Sequence, residues 1–546
     1  MNLPDVQAAG GIVASSHPQT TAAGLHLLRI GGNAVDAAVG AALVEMVVEP
    51  ERNGLGGYGG CMVIYRSELQ EVVSVDYNGA APLAARPDMY DVTPSIDKND
   101  PNVAEYGVRV RDQANRYGYR AISVPGTVDG LATALTHYGT KSWAEVSAPA
   151  IEVAETGVRL IEKTARSIRT NVVHLRQFPA TCDLMMPGGR LPKAGELLPM
   201  PDVANTLKTL RDDGPRAFYE GTIAATMAEH VQSQGGILAV EDLKQYRAKI
   251  RQPLQTNYRG YDIFTPPLSN GGATTLQILN ILEAFDIPAL VGQTGESSPP
   301  ADYAHLFLEA CKCAWRDRLT HFGDPEFVDV PSDKILSKSY AIELATCIRN
   351  RGKIPSASTP STVHGCTMQL SVVDGDRNMV SLTQTHGNGF GSFVTVPGTG
   401  IILNHGMWRF DPNAGKQNSI APGKRVLNNM SPLLILRQGQ PYASLGKPGG
   451  RRILTGLAQL VVNLLDFGLP PTAALAVARV HCQTEEPVWL ERRASDSLYR
   501  DLIDRGHRVE WHDQVGSGGQ LIVVNQATQT LRAGVDIRSD AWVQGI

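Results

Sequence analysis

The sequence predicts an α+β chain in which sheets stack beneath helical layers. Three observations carry that expectation. Strand patterns stand near the start of the chain and dominate from residue 367 onward, the middle third is a succession of amphipathic helices, and no internal repeat is visible. With 546 residues, 42% of them apolar and 19% charged, the chain can bury one large sandwich core or two fused lobes.

The elements follow in order. Thr20 to Val48 is Ala-rich and helical in pattern, and Gly31-Gly32 divides it into two helices, the second from about Ala34. Cys61–Tyr65 and Val72–Asp76 read as paired strands. Helices are expected over Val128–Thr136, Trp143–Glu155, Leu160–Val173, Val203–Arg211, Thr222–Gln234, Leu276–Phe285 and Tyr303–Arg318, the last with Glu309, Lys312 and Arg316 on one face. Strands are expected from Thr367 through Leu436, two helices over Ile453–Phe467 and Thr472–Val480, and a returning strand at Gln520–Val524.

The most informative stretch runs from Val363 to Gln384. It reads as a β-hairpin: apolar and β-branched residues to Val373, an Asp374-Gly375 turn, and a return over Met379–Thr383. Just before it, Lys353–Thr362 is rich in Ser, Thr and Pro and is expected to be irregular. An exposed loop thus runs into Gly365-Cys366-Thr367 where a buried strand begins. A hydroxyl or thiol at such a step suits a chain that cuts itself, leaving a nucleophile and an amine base on one new N-terminal residue. Cys366 and Thr367 both qualify, cysteine being intrinsically the stronger nucleophile. Thr383-Gln384-Thr385 on the returning arm places a hydroxyl near that point. Leu445 to Arg451 offers consecutive glycines whose N–H groups suit an oxyanion hole.

Bulk properties exclude several classes. The formal charge is -4 without long runs of either sign, which argues against nucleic acid or an anionic membrane as partner. No stretch of about 18 apolar residues exists, and the N-terminus has neither a basic region nor an apolar core, so no membrane span, no signal peptide and a cytoplasmic protein with reduced cysteines are expected. Neither the scattered cysteines nor the histidines have metal-ligand spacing, so no metal is expected. Gly54-Leu55-Gly56-Gly57-Tyr58-Gly59 matches a dinucleotide-binding pattern, but a helix precedes it and a strand follows, the reverse of what that site needs. Ser517, in V-G-S-G-G, lacks the glycine two residues earlier that a nucleophile elbow requires.

Ordered blocks over nearly the whole chain resemble the γ-glutamyltranspeptidase family of N-terminal-nucleophile hydrolases. They are G-G-N-A-V-D-A-A-V (31–39), L-G-G-Y-G-G (55–60), S-V-P-G-T-V-D-G (123–130), P-P-L-S-N-G-G (266–272), L-Q-I-L-N-I-L-E (276–283), G-D-P-E-F-V (323–328), T-M-Q-L-S-V-V-D (367–374), M-S-P (430–432) and K-P-G-G-R-R-I (447–453). The resemblance implies a four-layer αββα sandwich, made as one precursor and cut between Cys366 and Thr367. The products, a large chain 1–366 and a small chain 367–546, would stay associated as a heterodimer, with a dimer of these as a further option. It implies Thr367 as nucleophile, with its freed amine as base, Thr385 as the supporting threonine and Gly449 and Gly450 as the oxyanion pair. Cys366 becomes the last residue of the large chain. No metal or organic cofactor is implied, and the partner is a small-molecule amide.

The γ-glutamyl pocket departs from the family's pattern. The arginine of D-x-R-E is Asn78 here. The family's N-x-Q-M-D-D-F reads Asn404-His405-Gly406-Met407-Trp408-Arg409-Phe410, so an acidic residue has become Arg409. The serines of S-S-M-S-P are Asn428 and Asn429, and the asparagine two after the second threonine is Gly387, with Asn388 beside it. An arginine opposes a substrate ammonium but gains about 1.5–3 kcal/mol from a charge-assisted bond to a carboxylate. The expected substrate is therefore an amide with an anionic or polar acyl part and no α-ammonium, as in the oxamate amidohydrolase and cephalosporin acylase types of the family. Asn78, Asn388, His405, Arg409, Asn428 and Asn429 are the candidate binding residues. The alternative is a glutathione hydrolase or transferase with a rebuilt pocket.

Overall fold

The hairpin built from Cys366–Asp374 and Met379–Gly387 lies at the centre of a seven-stranded antiparallel sheet. The computed structural model describes residues 4–94, 106–290, 298–355, 366–538 and 541–546. The expected start of the hairpin at Val363 and most of the Ser/Thr/Pro segment lie outside the described residues. The hairpin is flanked by Gly11–Ser15 on one side and Gly59–Arg66 on the other, and the sheet continues to Trp542–Gly545 and to Glu71–Asp76 and Lys249–Arg251. A second seven-stranded sheet has the order Val6–Ala8, Thr530–Val535, Gln520–Asn525, Gln440–Gly446, Leu433–Arg437, Tyr261–Thr265, Leu254–Tyr258.

Strand alternation assigns the layers. Met368, Leu370 and Val372, with Val380 and Leu382, join the core formed with the helices Pro18–Arg29 and Ala34–Val48 on the outer face of the first sheet. Each such side chain contributes about 1.5–3 kcal/mol by leaving water. Leu433, Ile435, Leu445 and Leu521 face the opposite helical layer, built around Gly272–Glu283, Ala301–His321 and Arg452–Leu465. Between the sheets lie Ile12, Val63, Val373, Leu434 and Ile522. The result is the four-layer αββα sandwich, with an apolar core between each pair of adjacent layers.

Chain positions on either side of residue 366 are interleaved in both sheets. Strands from before that point flank the central hairpin, and strands from before it also form both edges of the second sheet. Separating 1–366 from 367–546 would open both sheets.

The helical expectations over Thr20–Val48 hold, and the local reason is visible. Asn33 accepts from Val35 N–H (2.8 Å) and Asp36 N–H (3.1 Å), while the Asp36 carboxylate accepts from Asn33 N–H (2.7 Å), a reciprocal cap that starts the second helix after the glycines. The glycine-rich turn at 54–59 does join a helix to a strand.

Three expectations need correction. Leu160–Val173 is not one helix: Val158–Arg159 pairs with Leu197–Leu198, and Leu160 exchanges main-chain bonds with Gly195 and Glu196, so the helix begins only at Glu162 and breaks at Asn171. The helix at Thr472 ends at Ala476, because Val480–His481 is drawn into a small sheet with Val488–Glu491. Between Gly387 and Leu433 the chain is mostly irregular rather than stranded. It is held there by side chains of Asn404, Asp411 and Asn418 that replace a ladder with local bonds.

On the Ala301–His321 helix, Lys312 Nζ donates to Glu309 (2.7 Å) and Glu486 (2.9 Å) with all three buried, whereas Arg316 donates to the carbonyl of Pro355 (2.8 Å). No described helix is long and apolar enough to cross a membrane. The described cysteine side chains are unpaired thiols.

Candidate active site

Thr367 is the first inward-facing residue of the central strand and is 4% exposed. The hairpin's inner face is polar next to it. Gln369 donates to Ser381 Oγ (3.0 Å) and accepts from Thr383 Oγ1 (2.5 Å), and Ser381 Oγ donates across the sandwich to the Leu445 carbonyl (2.9 Å). Ser444 Oγ returns a bond to the Val380 carbonyl (3.0 Å). These bonds satisfy polar groups that would otherwise be buried without partners, and they lock the two sheets in register.

The register shifts at the nucleophile candidate. Cys366 pairs with Gly387 and Met368 with Gln384, so Thr367 stands opposite two residues, Thr385 and His386. This is a β-bulge, a device that re-aims side chains. Thr385 Oγ1 accepts from Gly387 N–H (2.8 Å).

The glycine loop arrives at the same end of the sandwich. At Gly446 a Cβ would fall 2.1 Å from the Gln369 amide, so a side chain there would displace that amide from its bonds to Ser381 and Thr383. Gly449 (φ 134°) and Gly450 (φ 61°) then lead into the helix Arg452–Leu465, whose first bonds are Arg452 N–H to Gly449 O (3.3 Å) and Ile453 N–H to Gly450 O (3.1 Å). Backbone N–H groups ahead of a helix N-terminus provide a positive potential suited to an oxyanion.

Arg52 was not anticipated from the sequence. Its Nη1 donates to the Thr367 carbonyl (3.0 Å), its Nε pairs with Glu49 (3.1 Å), and its own carbonyl accepts from His386 N–H (2.9 Å). Glu49 is further held by Lys163 (2.9 Å) and by the Ser16 hydroxyl. The one signal in the sequence was a charged run, Glu49-Pro50-Glu51-Arg52, wedged between apolar and Gly-rich segments.

The charges in this cluster are sorted by their partners. Burial favours the neutral form of Glu49, but Arg52, Lys163 and Ser16 outweigh it and hold the carboxyl at about 2. Burial, reinforced by the Glu49 charge, pushes Glu51 up to about 7 and raises Glu45 well above its ordinary range. Glu51 is thus more readily protonated in the folded chain than in the unfolded one. Ionising it lowers stability as pH rises from its ordinary 4.5 to about 7, with no further loss above that. Glu51→Gln retains a group able to accept from Thr164 Oγ1 (3.1 Å). We expect it to be more stable than the wild type above pH 7, by on the order of 2–3 kcal/mol, and equal near pH 4. Urea unfolding at several pH values checks this, and an unchanged difference across pH would contradict it.

The candidate binding residues divide into two groups. Arg409, in the turn Gly406–Arg409, is 3% exposed and donates through Nη2 to the Gly387 carbonyl (2.9 Å), one rung from Thr367. Its guanidinium lies over Trp408 (5.0 Å), which Arg116 also covers (4.9 Å). His405 approaches the Arg116 carbonyl through Nδ1 (3.2 Å) and is kept neutral by burial and by the charges of Arg409 and Arg116. Asn404 anchors this turn by accepting from Ser123 N–H (3.1 Å) and Gly406 N–H (2.8 Å). Asn388 is half-buried and follows Gly387 directly.

The remaining asparagines are bonded into the scaffold. Asn78 donates to Ser269 Oγ (3.0 Å) and the Val426 carbonyl (2.6 Å), while its Oδ1 is buried with no partner among the described residues. Asn428 donates to Asn270 Oδ1 (2.9 Å) and accepts from Met430 N–H (2.7 Å). Arg318, also unforeseen, donates to Asn429 Oδ1 (2.9 Å) and the Asn428 carbonyl (2.6 Å).

One described group, His305, Glu309 and His507, could reach a single ion. It belongs to the helical layer over the second sheet, and Glu309 is already bonded to the Lys312 ammonium and Ile354 N–H. A dication there would sit against that ammonium.

An αββα sandwich with a threonine heading its central strand beside a glycine-rich loop defines the N-terminal-nucleophile hydrolase class. The family model described as Gamma-glutamyltranspeptidase matches residues 20–546. The Acylase ACY 1 proenzyme of Pseudomonas sp. (strain V22) is 36% identical over 520 residues, covering 94% of this chain and 90% of the relative. The glutathione hydrolase proenzyme of Escherichia coli (strain K12) is 34% identical over 536 residues, covering 95% and 89%. The crystal structure of cephalosporin acylase from Bacillus halodurans superposes with a TM-score of 0.88 at 28% identity, covering 100% of this chain and 97% of that one. The chain belongs to the γ-glutamyltranspeptidase family and is a hydrolase.

Proposed function

We propose that the chain is a precursor that cuts itself between Cys366 and Thr367, and that the paired products hydrolyse amides whose acyl part is anionic or polar and lacks an α-ammonium. In this reading the Thr367 hydroxyl attacks the amide carbonyl and its proton passes to the freed α-amine. The oxyanion is held by the N–H groups of Gly449 and Gly450, the substrate's amine leaves with that proton, and water hydrolyses the ester that remains. Thr385 supports the nucleophile across the bulge. The interleaving of both sheets would keep 1–366 and 367–546 together as a heterodimer. Both curated relatives described above are named as proenzymes, which supports processing.

The observation that carries the substrate assignment is the Arg409 guanidinium at the Gly387 carbonyl, one rung from Thr367. A carboxylate-bearing acyl group, as in oxamate or a glutaryl amide, suits it. An α-ammonium does not, because two like charges in a water-poor site repel by several kcal/mol. The acylase relatives support this reading, and the glutathione hydrolase relatives support the alternative of a γ-glutamyl substrate.

A panel of amides with and without an α-amine, given to the processed protein, separates the two. We expect release from glutaryl p-nitroanilide or oxamate and weak action on γ-glutamyl p-nitroanilide. Strong γ-glutamyl release boosted by a dipeptide acceptor would overturn the assignment. Arg409→Leu should reduce kcat/KM for the anionic substrate by about 10- to 150-fold, the equivalent of one charge-assisted bond. An unchanged value would remove Arg409 from the pocket.

A further inference from the structure

We infer that Arg52 is the positioning residue for the nucleophile, orienting Thr367 through its carbonyl and keeping its liberated amine in the neutral form; this rests on Thr367 being the nucleophile. The geometry that points to it is the bulge. Where the ladder is interrupted, a single residue spans both strands: the Arg52 side chain binds the Thr367 carbonyl, and the Arg52 carbonyl binds His386 N–H on the opposing strand. The guanidinium is buried and is itself fixed by Glu49, which Lys163 and Ser16 hold in place.

Such an anchor has a particular use at a cleaved N-terminus. Once the bond before it is broken, Thr367 is tethered on its carbonyl side alone. A charge-assisted bond to that carbonyl then restricts the rotation that aims both the amine and Oγ. The carbonyl oxygen that this guanidinium binds is three covalent bonds from the amine nitrogen. A nearby cation disfavours the ammonium form, and a base must be neutral at the working pH to take a proton.

Among the described residues, the other charged or titratable groups around the site fall on a few elements. On the segment that carries Arg52 they are Glu45, Glu49 and Glu51, with Lys163 and His17 packed against them, His17 pushed down by burial. The Glu49 carboxylate is engaged by two cations, and Glu45 and Glu51 are pushed toward neutrality. On the hairpin and the turn beyond it stand His386, held by burial at about 3, neutral His405, and Arg409, with Arg116 packed over Trp408 beside them. On the glycine loop, burial pushes Lys447 well below its ordinary range. None of these places an unpaired carboxylate against Thr367.

The test compares Arg52→Lys, which keeps the charge, with Arg52→Gln, which keeps a donor without charge. Thr367→Ala and the wild type serve as controls. Two readouts are taken: self-cleavage of the precursor on a denaturing gel, and kcat/KM against pH with the best p-nitroanilide of the panel. In the precursor the residue 367 nitrogen is an amide and does not titrate, so only turnover reports the amine. We expect the acid limb of turnover to move up by on the order of one pH unit in Arg52→Gln and to stay in place in Arg52→Lys. Turnover should fall by about 10²-fold in Arg52→Gln and less in Arg52→Lys, through kcat rather than KM. Self-cleavage should slow in both without a pH shift. Should Arg52→Gln fold poorly, the double variant Arg52→Met/Glu49→Gln removes both buried charges; because loss of the Glu49 anion opposes loss of the cation, the limb should then stay near its wild-type position while kcat still falls through the lost bond to the Thr367 carbonyl, and a wild-type kcat there would count against Arg52 as the positioning residue. A wild-type limb and rate in the neutral variants, with Thr367→Ala inactive, overturns the assignment of Arg52. Turnover by Thr367→Ala overturns the nucleophile reading beneath it, a separate outcome.

Discussion

Thr367→Ala is expected to remain a single full-length polypeptide and to lose amide hydrolysis by at least on the order of 10³-fold. The expectation follows from one atom serving two reactions. Under the proposed function, Oγ would attack the carbonyl of Cys366 in the precursor and the substrate carbonyl in the processed protein. Alanine removes that oxygen and changes little else, because Thr367 lies at the end of a strand whose apolar face is carried by Met368, Leu370 and Val372. Stability should therefore be nearly unaltered, which separates lost chemistry from lost folding. Thr367→Ser retains the oxygen and should retain both activities in reduced form, since serine lacks the methyl group that limits the χ1 rotamers. Two bands of wild-type size from the alanine variant would remove Thr367 from the cleavage step.

The second large effect is expected at Gly449. Its φ of 134° belongs to a region that side-chain-bearing residues rarely adopt, and the residue stands three positions before the first residue of the helix Arg452–Leu465. Gly449→Ala should rotate the peptide unit away from that conformation and re-aim the N–H groups of the loop. Loss of one oxyanion donor lowers kcat by about 10²–10³-fold, equivalent to about 2.7–4 kcal/mol. KM should change little, because the donor acts on charge that develops after binding. Gly450, at φ 61°, lies in the left-handed region that asparagine tolerates, so Gly450→Asn should be milder than Gly449→Ala. Steady-state kinetics on a glutaryl anilide checks both. Equal kcat in the wild type and Gly449→Ala would show that this loop does not bind the oxyanion.

Much of the architecture was legible because it is written in local periodicity. The hairpin at 366–387, the two helices after Thr20 and the strand pair at 59–76 each show the spacing of the structure they form. The glycine loop and Thr385 were legible as site candidates for the same reason: they belong to short patterns whose chemistry is local. The failures have a common physical cause. Leu160 and Val480 were assigned to helices by their apolar spacing, and both are claimed by main-chain partners distant in sequence. The segment after Gly387 carries strand-like residues but is organised by asparagine and aspartate side chains bonding to nearby backbone.

Arg52 marks the limit most clearly. Its partner, the Thr367 carbonyl, is 315 positions away, and no spacing rule connects an arginine after one helix with the head of a strand that far along the chain. Arg318 is the same case, reaching 110 positions to the Asn428 carbonyl. Asn78 and Asn428 illustrate the converse. Their place in the motifs marked them as pocket residues, while the bonds they make tie together the segments around Asn270 and Val426.

The most direct test is intact mass and N-terminal sequencing of the purified, active protein. The account predicts two polypeptides that co-purify, one ending at Cys366 and the other beginning with a free-amine Thr367. An active protein consisting of one uncut chain, or a second polypeptide beginning at any other residue, would contradict it.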